Sequence, residues 1–274
     1  MDKKKLLTRA ISGIIYVGLI VGCILLGNVG ISFLGVLLAI LSTLELEHIL
    51  HDNSRKSRLP LLAYDVVGVC FLALSFNPLL PLFPLIIWFI LVLGRLIIQL
   101  YIKESDPVKE LSHFFLTQLY LGIPLASMIA AGYLLNPKVV LIVFIMLWIN
   151  DTGAYIVGSL IGKHRLFERI SPKKSWEGFF GGLFFNIVTS ILFFFFNPSF
   201  LGNHYNLVQW IGIAVIVTIF GTWGDLIESM IKRHLHIKDS GNLIPGHGGI
   251  LDRIDSFLLA MPAAFIYLFL IIML

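Results

Sequence analysis

Nine apolar runs dominate the chain, each near the length a helix needs to cross a hydrocarbon core, about 20 residues with a range of roughly 17–25. They fall near 10–27, 29–48, 60–76, 78–102, 112–135, 138–161, 177–197, 206–230 and 254–273. The third is the shortest. Gly27 with Asn28 separates one neighbouring pair, and Asn77 with Pro78 another. A soluble domain carries about 25% charged and 45–50% apolar residues. This chain has 13% and 58%. A soluble fold could not hide that much apolar surface, so an ordinary soluble enzyme, a disordered tail and a fibrous protein are all excluded. The expected fold is all-α, a polytopic integral membrane protein with about nine transmembrane helices and no soluble domain. Met1 to Arg9 is basic, and no small-residue cleavage site follows it, so the first run reads as a retained span.

The basic residues orient these spans. Loops on the cytoplasmic side retain Lys and Arg. With the N-terminus inside, alternate loops hold 18 of the 20 basic residues. The outside loops hold only Lys138, and Arg95 lies within the fourth run, in snorkelling reach of its cytoplasmic end. This pattern predicts a C-terminus outside. It also accounts for the net charge of +4 without a nucleic-acid partner. Cys23 and Cys70 lie inside apolar runs at no metal-ligand or redox spacing and read as packing residues.

The long polar stretches, 162–176 and 231–253, are both expected in the cytoplasm. The single membrane domain is expected to comprise 1–137, a helical scaffold and candidate dimer region, and 138–274, the catalytic helices with both of these stretches. Asp225 and Glu228 are three apart on a predicted helix and share a face. Asp225 lies roughly 10 Å below the basic pair Lys232 and Arg233 at about 1.5 Å per residue, a costly depth for a carboxylate. Glu228 could simply pair with Lys232. Asp252 and Asp255 are also three apart, at the start of the ninth helix. Paired carboxylates at helix ends suit Mg²⁺, which takes one or two carboxylates plus substrate phosphates. The loop between carries Gly241, Gly246, Gly248 and Gly249, flanked by Lys232, Arg233, Lys238 and Arg253. Glycines admit phosphate oxygens to backbone N–H groups, although such a loop is more often only a turn. His247 is as readily a turn residue as a phosphate contact.

Two further stretches add to this set. Ser171 with Pro172 reads as N-cap and first residue of the seventh helix. That would put Lys173 and Lys174 in a first turn, where the helix dipole disfavours cations unless a polyanion binds. Both are therefore candidate phosphate ligands, with Ser175 beside them. Glu177 suits a first turn electrostatically. Asn150-Asp151-Thr152-Gly153-Ala154-Tyr155 places polar groups within the sixth span, lining a cavity or gluing helices together. Asp65 is a lone acid in the third span, with Arg95 as a candidate partner.

These blocks resemble the phosphatidate cytidylyltransferase (CDP-diacylglycerol synthase) family. The resemblance rests on Ser229 to Asp255: Ser-x-apolar-Lys-Arg, then Lys238-Asp239, then His247-Gly248-Gly249-x-x-Asp252-Arg253-x-Asp255. The blocks Asn150-Asp151-x-x-Ala154-Tyr155, Ser171-Pro172-Lys173-Lys174-Ser175 and Gly224-Asp225-x-x-Glu228-Ser229 are similar too, and the match covers 140–274. It implies a Mg²⁺-dependent enzyme making CDP-diacylglycerol and pyrophosphate from CTP and phosphatidate in the inner (plasma) membrane, its site facing the cytoplasm. It implies metal ligation by Asp225 and Asp252, with Asp255 as a third candidate and room for a second cation, and a homodimer in the lipid bilayer. Catalysis is then expected of Lys173, Lys174, Asp225 and Asp252. Substrate binding is expected of Asp151, Ser171, Lys173, Lys174, Ser175, Glu228, Ser229, Lys232, Arg233, Lys238, His247, Gly248, Gly249 and Arg253.

The residues point to compatible chemistry. A phosphate nucleophile is already an anion, so the site must overcome repulsion between anions rather than supply a strong base. A cation-coupled transporter would also hold intramembrane acids, but it often shows paired repeats, and none is visible here. Another lipid-phosphate or polyprenol transferase would differ only in substrate.

Overall fold

The computed structural model describes residues 3–51, 55–103, 106–197, 199–201, 205–246 and 248–273. Its helices are α1 Lys3–Leu25, α2 Gly27–Leu50, α3 Arg55–Leu74, α4 Phe83–Tyr101, α5 Pro107–Ala130, α6 Pro137–Ile161, α7 Trp176–Phe196, α8 Leu207–His234 and α9 Leu251–Met273. A π-helical turn, Ala131–Leu135, extends α5. All but α3 carry an apolar span long enough to cross a membrane. In α3 the apolar part is the shorter Pro60–Leu74. The chain is a polytopic α-helical membrane protein.

The helix boundaries follow local chemistry. Gly27, at a φ of 74°, lets the chain turn from α1 into α2. Asn77 Oδ1 accepts from the Leu79 N–H at 2.9 Å and builds a turn after α3. The fourth run therefore becomes helical only at Phe83, not at Pro78. Asp106 and Asn136 cap α5 and α6, each followed by Pro at the first helical position. Asn206 and Gln209 cap α8 reciprocally.

One expectation fails at α7. Ser171 does not cap that helix. Ser171–Ser175 is a strand, β2, pairing antiparallel with β1, Arg165–Phe167. The cap is Ser175, whose Oγ accepts from the Gly178 N–H at 3.1 Å. Lys173 and Lys174 lie in the strand, so the helix dipole does not act on them as a first turn would. The hairpin is the one β-sheet among the described residues.

The chain divides into two compact units. The first comprises Met1–Tyr133 with Asp239–Asp252. In it α2, α3 and α5 pack mutually, with α1 on α2 and α4 on α3. Ile31, Leu34 and Leu38 of α2 and Leu121, Leu125 and Ala126 of α5 form its core. The second comprises Leu134–Lys238 with Arg253–Leu274. There α6, α7 and α8 pack on one another, and Phe257 of α9 stacks on Phe144 of α6 at 4.5 Å. Small residues let α6 and α7 approach closely. Gly158 faces Gly178, and Gly182 lies against Asn150. Buried polar pairs bind α7 to α8: Asn186 Nδ2 donates to Thr218 Oγ1 at 2.9 Å, and Ser190 Oγ donates to the Trp210 carbonyl at 2.8 Å. Phe195 and Phe196, at the end of α7, are exposed and suited to lipid.

Candidate active site

In the second unit, four separate stretches of sequence meet. Lys174 of β2 places Nζ 2.5 Å from Asp225 Oδ2 on α8. The Ser229 hydroxyl, one turn along α8, donates to Asp225 Oδ1 at 3.1 Å. Asp151 of α6 lies in electrostatic reach of Asp225, Lys174 and Arg253. Asp255 of α9 is in reach of Asp225, Glu228 and Asp151. Four carboxylates from α6, α8 and α9 thus share one region with Lys174, and Gly224 allows it by letting α8 lie against the Asp255 and Ser256 backbone.

The remaining candidates in this unit divide between site and scaffold. Glu228 is buried and pairs with Lys232 Nζ at 3.2 Å. Arg233 donates to the carbonyls of Ile170 and Ile237, at 3.4 and 3.3 Å, and so ties the end of α8 to the hairpin. Lys173, Lys238 and Arg253 are exposed. Ser171 pairs with Phe167 in the hairpin, and Ser175 serves as the α7 cap. Glu177 keeps its first-turn place and pairs with His164 Nδ1 at 2.6 Å. Asn150 is buried against α7, whereas Asp151, its neighbour, is exposed.

Asp252, Gly248 and Gly249 belong to the first unit. Asp252 Oδ2 accepts from the N–H groups of Ser240 and Gly249, both at 3.0 Å. Gly248 takes a φ of 85° and bridges to Ile244. His247 lies outside the described residues. Among those residues, no group of three or more His, Cys, Asp or Glu side chains is placed to hold a metal ion by itself.

The first unit also holds residues that sequence reasoning passed over. Glu45 and Glu47 lie in the last two turns of α2, both buried. Thr117 Oγ1 donates to Glu47 Oε1 at 2.6 Å, and His51 Nε2 lies 3.4 Å from Glu47 and 3.8 Å from Glu110. Arg95 Nη1 donates to Gln99 at 2.6 Å, and its Nη2 is 4.0 Å from Glu110. Arg95 thus stands near Glu110 and also in electrostatic reach of Asp65, whose buried Oδ1 has no hydrogen-bond partner among the described residues. Glu45, Glu47, His51, Asp65, Arg95 and Glu110 line a cavity of about 450 Å³ whose remaining wall is mostly leucine and Phe114. The available signal was two acids at the end of an otherwise apolar run.

A polytopic helical membrane protein with carboxylates from three helices gathered around a strand lysine is the class these features define. The profile of the cytidylyltransferase family matches residues 7–271, and the chain belongs to that family. It is similar to the protein named phosphatidate cytidylyltransferase from Staphylococcus aureus (strain COL), 46% identical over 125 residues, which is 45% of this chain and 46% of that protein. The protein of the same name from Staphylococcus haemolyticus (strain JCSC1435) is 48% identical over 125 residues, with the same coverage. The chain thus aligns with slightly under half the length of these relatives.

Proposed function

We propose that the chain is a phosphatidate cytidylyltransferase, joining CTP to phosphatidate with release of pyrophosphate at a cytoplasm-facing site in the inner membrane. The observation that carries this reading is the meeting of Lys174 with Asp225 in the region of Asp151 and Asp255. Membership of the cytidylyltransferase family and the names of the relatives support the substrate pair.

In the proposed reaction a phosphate oxygen of phosphatidate forms a bond to the α-phosphorus of CTP. The bond from that phosphorus to the oxygen bridging to the β-phosphate breaks, and pyrophosphate leaves with the electron pair. The nucleophile is already ionised, so no side chain has to take a proton from it. Lys174 is aimed into the acidic region and offsets negative charge there, on Asp225 when the site is empty of nucleotide and on phosphate when it is filled. Ser229 orients Asp225 through its hydroxyl. The donor chemistry fits Mg²⁺: carboxylate oxygens are hard ligands, and clustered carboxylates repel one another without a cation. Since no three of them converge among the described residues, one or two protein carboxylates would bind the ion and nucleotide phosphates would complete its shell. Asp225 and Asp255 of the second unit would hold it; Asp252, a ligand candidate from the sequence, belongs to the first unit. When bound, Mg²⁺ supplies neutralisation of the phosphate charge. A homodimer belongs to the same proposal.

The test is pyrophosphate release from CTP by the purified protein in phosphatidate-containing micelles. Release should require phosphatidate, stop in chelator and return with Mg²⁺. Asp225→Asn should lower turnover about 100-fold or more, on the scale of a lost charge-stabilising contact in the transition state. Release without phosphatidate, or full activity in chelator, would refute the reading.

A further inference from the structure

We infer that Glu45 is a positioning residue for Asp252, an inference that rests on the cytidylyltransferase reading above. Glu45 projects from α2 and is 8% exposed. A carboxylate so placed is costly unless its oxygens are satisfied. Among the described residues no lysine or arginine pairs with it. Three hydrogen-bond donors take that role, all from the stretch 229–255 that the sequence singled out for chemistry. The Ser240 hydroxyl donates to Glu45 Oε1. The Ile250 N–H donates to Oε2 at 2.8 Å, and the Leu251 N–H donates to Oε1 at 3.0 Å.

The last two donors stand at the N-terminus of α9, whose first N–H groups have no partner within the helix. Glu45 therefore caps α9 from another helix, with its negative charge at the positive end of the helix dipole. Asp252 is the second residue of α9. Its N–H donates to Ser240 Oγ at 3.3 Å, while its Oδ2 accepts from the Ser240 N–H at 3.0 Å. Ser240 thus relays the position of Glu45 to both the backbone and the carboxylate of Asp252. The glycines obey the same constraint. A Cβ on Gly241 would lie 2.8 Å from Glu45 Oε2, and one on Gly249 would overlap both the Glu45 carboxylate and Ser240 Oγ. Gly249 is a glycine here because the backbone closes on Glu45, which differs from the phosphate-cradle reading of the loop.

Glutamine at position 45 would keep the shape but offer a single acceptor oxygen and turn an NH₂ toward an N–H or hydroxyl donor. Aspartate would keep the charge but fall short by one methylene. The experiment compares wild type, Glu45→Gln, Glu45→Asp, Ser240→Ala and the Glu45→Gln/Ser240→Ala double variant. It measures pyrophosphate release and, in the protein without ligands, hydrogen exchange over residues 248–254. Glu45→Gln should lower kcat about 100-fold with KM for CTP held within about threefold, since a misplaced group slows the reaction more than it weakens binding. Glu45→Asp should recover part of that loss. The double variant should be no slower than Glu45→Gln, because the two residues act through one network. Exchange at Ile250 and Leu251 should quicken about tenfold or more in Glu45→Gln. Full kcat in Glu45→Gln, or losses that add in the double variant, would overturn the inference. If wild type itself releases no pyrophosphate from CTP and phosphatidate, the cytidylyltransferase reading fails instead, and unchanged exchange in Glu45→Gln would then overturn the Glu45–Ser240 link on its own.

Discussion

Lys173 and Lys174 are neighbours in sequence with different surroundings. Successive residues of a strand point to opposite faces. Lys173 is exposed, while Lys174 reaches Asp225 at 2.5 Å. A helical first turn would have given both lysines the same dipole argument, whereas the strand separates them. Lys174→Met should therefore lower turnover about 100-fold, as when a transition-state charge contact is lost. Lys173→Met should cost no more than about tenfold, a loss of roughly 1.4 kcal/mol. Steady-state pyrophosphate release by the two purified variants checks this, and equal losses would contradict the assignment. At this scale much of the candidate site was legible. Asp225, Asp252 and Asp255 stood out because acids beside apolar runs are costly and seldom without purpose. The Lys174–Asp225 contact was not legible, since no local pattern couples residues so far apart. Glu45 was missed because an acid near the end of an apolar run reads equally well as a solvated rim residue.

Among the elements, α7 shows how a misread cap changes an argument. Ser171-Pro172 has the chemistry of a helix start, but Ser175 holds the cap and the segment before it pairs with β1. Strands of three and five residues have too little periodicity to declare themselves, and only the pairing reveals them. The helices themselves were readable because their apolar runs have the length that a bilayer imposes. Their contacts depend on small residues whose value appears only in three dimensions. A Cβ on Gly178 would lie 2.9 Å from the Ala154 carbonyl oxygen and 3.4 Å from the Gly158 Cα. Those backbone atoms cannot swing aside, so α7 would have to move away from α6. Gly178→Ala should destabilise the protein by about 1–3 kcal/mol, the usual cost of overpacking. Phe184→Leu, at a site 63% exposed on the same helix, should change stability by no more than about 0.5 kcal/mol. Thermal unfolding of both variants in one detergent makes the comparison, and a Gly178→Ala protein as stable as wild type would contradict the close approach of the two helices.

For the whole molecule, the distribution of charge fixes an expected orientation that depends on the parity of the spans. The apolar part of α3, Pro60–Leu74, reaches only about 22 Å at 1.5 Å per residue, against a hydrocarbon core of about 30 Å. Short spans are accommodated by local thinning of the bilayer and by flanking side chains that reach the interface. If α3 crosses, all nine described helices cross and the two ends face opposite sides; if it does not, every later loop changes side. The basic residues discriminate between these cases. With α3 crossing, Lys163, Arg165, Arg169, Lys173 and Lys174 fall on the same side as Lys232, Arg233 and Lys238, and on the side of Lys3, Lys4 and Lys5. Without it, the basic N-terminal segment would oppose every basic loop after α3, against the rule that such residues stay in the cytoplasm. Single cysteines placed in a background lacking Cys23 and Cys70 report the outcome. Leu79→Cys, in the exposed turn before α4, should react with a membrane-impermeant thiol reagent added to intact cells. Lys163→Cys, after α6, should react only once the membrane is opened. A reporter fused after α9 should behave as external. Protection at Leu79→Cys together with labelling at Lys163→Cys would invert the orientation, carry the Lys174–Asp225 site to the face away from the cytoplasm and contradict the proposed function.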